Sequence, residues 1–181
     1  MSSSAGGFPT QTSRSTSALA EPKTPWLYPY REDPQQTRLG QPVFRPFVPV
    51  SLATDDASTP ELEGLIDTGA DAILASDLLA DELGLDLADN EGEELHAVGG
   101  RTVVARYKTV SLRLHHHDDS GARHEWEAPV GFVDGWHSFG LVLLGNIGFL
   151  NHFTVTASRF SQAVAVEHRT GFDDRFGVVL A

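Results

Sequence analysis

Between Val43 and Val166 the chain is cut into short apolar runs of strand length, each closed by a turn-forming cluster. Val43, Phe44, Phe47, Val48, Val50 and Leu52 form the first run, and its interspersed prolines suit an edge strand. The polar stretch 54–60 is a turn, and Leu62-Glu63-Gly64-Leu65-Ile66 is a short strand beyond it. Ser76 to Leu83 reads as a helix: Ser76 caps it, Leu79 and Leu83 share a face, and Gly84 ends it. Val103 to Leu114 and Trp126 to Val133 are β-rich. Leu141 to Leu144 is apolar throughout and reads as a buried strand, and 145–152 as a short helical turn. Residues 153–156 and 163–166 form a last hairpin. Many short strands with one or two short helices predict a mostly β fold, closed as a barrel.

Residues 1–41 are rich in Ser, Thr, Pro, Gln and Gly and poor in aliphatic residues. Such a segment buries too little apolar surface to offset its ordering entropy, so it is expected to be a disordered extension. Pro25-Trp26-Leu27-Tyr28-Pro29-Tyr30 is the exception, and reads as a strap docked on the domain or a segment occupying a cleft. The expected boundaries are therefore an extension over 1–41, one domain over 42–170 and a tail over 171–181.

The formal net charge of −12 disfavours nucleic-acid phosphates as partners. The absence of cysteine excludes disulfides, thiolate metal sites and a cysteine nucleophile. No apolar run is long enough to span a bilayer, and residues 1–7 lack the basic and apolar regions of a secretory signal. The expected location is the cytoplasm, with no membrane partner.

Chemistry concentrates at Leu65-Ile66-Asp67-Thr68-Gly69-Ala70-Asp71. An apolar pair sets a strand in the core, a carboxylate follows at its end, and a hydroxyl residue and a glycine let the backbone turn back on that carboxylate. Asp and Gly in a plain turn after a strand would look the same. Two further features follow in order. His96-Ala97-Val98-Gly99-Gly100-Arg101 places a glycine pair between two β-rich segments, as a hairpin turn or as a flap closing on a ligand. Leu143-Leu144-Gly145 is an apolar pair ending in glycine, followed by Asn146.

In this order the features resemble the retropepsin-like aspartic proteases, over about residues 43 to 168, and most of all the bacterial single-domain members. There an Arg-Pro-Phe-Val-Pro-type strand precedes the active site, as Arg45-Pro46-Phe47-Val48-Pro49 does here. The resemblance implies an acid-protease barrel and an aspartic endopeptidase that needs no metal or other cofactor. Two chains would each supply one Asp67 to a homodimer that hydrolyses peptide or protein substrates. Thr68 would hydrogen-bond across the dimer, Gly69 would allow close approach, and Ala70, Asp71, Val98, Gly99 and Gly100 would contact substrate. Ala72, Ile73, Val98 and Ile147 are further candidates for the cleft wall. Many members carry Arg where Asn146 stands, paired with the acidic residue at the position of Asp71. Asn146 can hydrogen-bond to Asp71 but cannot form that ion pair, which bears on dimer stability.

Asp119-Ser120-Gly121 is the other Asp-hydroxyl-Gly triplet, but it follows polar His115-His116-His117-Asp118 and reads as a hairpin tip. The histidine cluster reads as a solvated loop, because consecutive strand residues point to opposite faces and cannot easily share one ion. Two other readings stand beside the protease: an inactive binding or dimerisation module of the same fold, and an unrelated barrel with a coincidental triplet.

Overall fold

The computed structural model describes residues 25–96, 100–118, 120–138 and 140–177. Six strands close into a barrel: β4 (Phe47–Ala53), β5 (Leu62–Ile66), β10 (Leu141–Leu144), β6 (Ile73–Ser76), β9 (Arg123–Val133) and β8 (Thr102–His115), in that order. Pairing of β4 with β8 shuts the ring, Val50 lying opposite Leu114 and Ala53 opposite Ser111. The inward residues alternate as a pleated strand requires. Val110, Leu112 and Leu114 of β8 and Trp126, Ala128, Val130 and Phe132 of β9 are buried in one core with Val48, Val50, Leu52 and Leu144. The fold is thus mostly β and closed, with two short helices among the described residues, α1 (Asp77–Glu82) and α2 (Arg169–Phe176).

The first run divides between β3 (Gln41–Arg45) and β4, and β4 is interior rather than an edge. It tolerates Pro49 for a local reason. Pro49 lies opposite Glu63, whose N–H donates away from β4 to Gly140 O at 2.8 Å. The pair is therefore one that exchanges no backbone bonds, and pairing with β8 begins only at Val50.

The segment 25–41, expected to lie outside the domain, carries two strands among its described residues. β1 (Trp26–Pro29) pairs antiparallel with β12 (Ala163–His168), which also pairs with β11 (Phe153–Ser158). Tyr28 is fully buried, and its hydroxyl donates to His115 O at 3.0 Å. The aromatic strap thus supplies the burial that the surrounding polar residues lack. β2 (Arg31–Arg38) and β3 form a separate hairpin, turned at Leu39-Gly40 with both residues at positive φ. The tail expected from 171 starts as helix: α2 is pinned to β12 by the ion pair of Arg175 with buried Glu167.

Most other expectations match the observed elements. Ser76 caps α1, its Oγ accepting from Leu78 N. Residues 145–152 are a series of turns. β6 and β7 (Glu93–His96) are strands without a signal in the pattern, four residues each.

Candidate active site

The position of Asp67 follows from how three strands end. β5 runs parallel to β10, Leu65 opposite Leu143 and Ile66 opposite Leu144, and Asp67 N extends the ladder to Leu144 O at 3.2 Å. The chain must then reach β6, which pairs with the other side of β10 through Leu74 and Leu143. Residues 67–72 therefore cross over the end of β10, where Gly145 sits. A Cβ on Gly145 would come within 2.6 Å of Ala70 O and closer still to Ala72 O, so only glycine fits beneath the crossing. This is the physical content of the apolar-apolar-Gly signal.

The crossing is held by donors from the segment after Gly145. Asn146 N donates to Ala70 O at 2.9 Å and Ile147 N to Asp71 O at 2.8 Å, and Ala72 and Ile147 form an isolated parallel bridge. The Asn146 side chain also reaches the turn, donating from Nδ2 to Ala70 O at 3.0 Å and towards Thr68 O at 3.4 Å. Its hydrogen bonds thus go to main-chain carbonyls rather than to the Asp71 carboxylate. Within the turn, Asp67 Oδ1 accepts from Gly69 N at 2.9 Å, and Ala70 N donates to Asp67 O at 3.2 Å.

Asp67 is half-buried, Thr68 and Gly69 are exposed, and the carboxylate lies where three concavities meet. One, of about 270 Å³, is lined by Gly69, Ala70, Asp71, Leu95, Tyr107 and Leu143. It lies under the β7–β8 hairpin, whose pairing closes at His96 opposite Thr102. A second, of about 820 Å³, runs outward along Leu65, Glu63 and Glu61 to Asp33 and Arg45 of the β2–β3 hairpin. The third, of about 510 Å³, lies between Thr68 and β11, with Phe153 and Val155 in its wall.

The structure therefore groups Asp67, Gly69, Ala70 and Asp71 around one cavity. Gly100 lies in the connection of the β7–β8 hairpin, in a left-handed conformation at φ 77°. Val98 and Gly99 lie outside the described residues. Ala72 lines the smallest cavity, whereas Ile73 is fully buried in the core and Ile147 is 54% exposed away from that cavity's lining. Ile73 is a core residue because it falls on the inner face of β6, whereas Leu74, the next residue of the strand, lines the cavity.

Sequence reading missed Tyr107, whose ring packs on Gly131. Burial, then the nearby Glu93 and Asp71 carboxylates, push its hydroxyl above the ordinary tyrosine range. Tyr107 stood in plain view as the aromatic in the β8 alternation, but no pattern shows that β8 lines the same cavity as the Asp67 turn. The charged wall from Asp33 and Arg45, bonded to each other at 2.8 Å, was equally out of reach.

The histidine run is tied to the β1 strap. His115 Nε2 lies 2.8 Å from Ser51 Oγ, His116 meets Trp26 edge-on, and His117 meets Tyr28. Asp119 lies outside the described residues, and its neighbour Gly121 turns at φ 69°. Among the described residues, no three acidic or histidine side chains are arranged to hold a metal ion, and no helix is long and apolar enough to cross a membrane.

No family model matches the sequence. No curated protein matches it either. Among solved structures, the chain is similar to a retropepsin-like aspartic protease from Rickettsia conorii, at 13% identity and a TM-score of 0.45, over 77% of this chain and 89% of that one. It is also similar to the retroviral protease-like domain of Ddi1 from Leishmania major, at 13% identity and a TM-score of 0.42, over 70% of this chain and 94% of that one. At that identity the likeness concerns the fold alone, and the closed barrel described above rests on its own strand pairing.

Proposed function

We propose that the chain is a retropepsin-like aspartic endopeptidase, acting as a homodimer with one Asp67 from each copy. The observation that carries this reading is the Asp67 carboxylate, held by Gly69 N–H at the end of a core strand and open to three concavities. A single such carboxylate is half of an acid-protease pair. The cavity between Thr68 and β11 is where a second copy would bring the other half.

Two carboxylates in contact resist double ionisation, so the pair keeps one proton over a broad pH range. The ionised Asp67 takes a proton from a water bound between the two, and the water oxygen attacks the peptide carbonyl carbon. The protonated Asp67 gives its proton to the carbonyl oxygen, forming a neutral gem-diol. Collapse breaks the C–N bond: the amine leaves with the proton of one aspartate while a gem-diol hydroxyl returns its proton to the other as the C=O bond re-forms, so the pair again holds one proton. Thr68 is exposed at the proposed interface, and Ala70, Asp71, Val98, Gly99 and Gly100 are the residues we assign to substrate contact. Substrate is a peptide or protein, and the setting we assign is cytoplasmic.

The test is digestion of a mixed peptide library between about pH 4 and pH 7.5 by the wild type and by Asp67→Asn, with solution mass recorded for each. Cleavage of internal bonds by a dimeric wild type, lost in Asp67→Asn, upholds the proposal. A folded dimer that cuts nothing would make it a binding module instead.

A further inference from the structure

We propose that Asn146 is a positioning residue that holds the Asp67 turn by an uncharged clamp, an inference that rests on the protease reading for its catalytic consequence. Among the described residues, no strand pairs with residues 68–71 as they cross the end of β10, so their carbonyls take donors from elsewhere. Ala70 O receives two, from Asn146 N at 2.9 Å and from Asn146 Nδ2 at 3.0 Å. The same amide group points its other hydrogen towards Thr68 O at 3.4 Å. One planar –NH₂ thus addresses the carbonyls on either side of Gly69, the residue whose N–H holds the Asp67 carboxylate.

The reach explains the residue. Gly145 packs flush under the crossing, so the next side chain starts close to the turn and a two-bond amide suffices. A clamp of this kind differs in kind from an ion pair. It is internal to one chain, it carries no charge, and added salt does not screen it. The acidic Asp71 beside it is left to solvent and to the substrate cavity. The carboxylate cradle is then set in each copy before two copies meet.

The clamp is tested by Asn146→Asp, which keeps the shape and turns the donor into an acceptor facing two carbonyls, and by Asn146→Ala and Asn146→Gln. Two readouts are taken on the full chain: amide hydrogen exchange at Gly69 and Ala70, and kcat and KM on a peptide that the wild type cuts. Loss of a hydrogen bond of ordinary strength, about 1 kcal/mol, predicts about fivefold faster exchange and about fivefold lower kcat in Asn146→Ala, with KM held within about twofold. Asn146→Asp falls further and Asn146→Gln recovers part of both. Exchange and kcat unchanged in Asn146→Ala and Asn146→Asp overturn the proposal. So does a loss of kcat that tracks melting temperature and that Gln does not relieve. If the wild type cuts no peptide, the protease reading fails while the exchange rates alone uphold or overturn the clamp.

Discussion

Gly145 shows how a single position ties the strand order to the chemistry. It lies beneath the crossing of residues 67–72, and a methyl group there meets two backbone oxygens that cannot swing aside as a side-chain end would. Gly145→Ala should therefore destabilise the domain by about 2 kcal/mol, within the range for overpacked sites, and lower activity beyond what stability explains. Urea unfolding with a parallel activity assay measures both; an unchanged midpoint would mean the crossing is looser than described. The motif around Asp67 was legible because its requirements are local: apolar, apolar, carboxylate, hydroxyl, glycine. Asn146 was legible as a departure, yet its partners were not. Whether a short amide reaches a carboxylate or two carbonyls depends on ångström-scale placement of the crossing.

At the scale of elements, runs with strong alternation were readable and short ones were not. β8 and β9 announce themselves over fourteen and eleven residues, whereas β6 and β7 have four each and gain their order from neighbours. β1 is the instructive case. Its flanks read as too polar to fold, but Trp26 and Tyr28 supply anchors, and Tyr28 is buried to 1% exposure. Deleting a buried aromatic costs about 3–5 kcal/mol, so Tyr28→Ala should free β1 from β12 and sharply lower stability. Tyr28→Phe keeps the packing and loses only the bond to His115 O, about 1 kcal/mol. Thermal melting of the two variants checks the ranking, and equal effects would place the stabilisation in the hydrogen bond rather than in the burial.

For the whole molecule, closure of six strands into one barrel was foreseeable from many short runs, whereas the order of the strands was not, because it depends on pairings far apart in the chain. The folded state also has an acid limit. Burial holds His115 below the ordinary histidine value of 6.5 against the pull of Glu61, and burial with Arg169 and His168 does the same for His152. The unfolded chain takes up these protons first, so stability is full above about pH 6.5 and drains as pH falls through and below it. Melting temperature should decline from about pH 7 to about pH 5, and less so in a His115→Gln, His152→Gln double variant. Glu125, held low mainly by its Arg113 hydrogen bond, contributes its loss only at lower pH.

The proposed sharing of one working site, with an Asp67 from each of two chains, is tested most directly by mixing. Wild type is exchanged with an equal amount of Asp67→Asn at fixed total protein, and cleavage is compared with wild type alone. If both carboxylates are required, only pairs of wild-type chains work, and the rate falls to about a quarter. A rate of about half would mean that each chain cuts alone, contradicting the shared site.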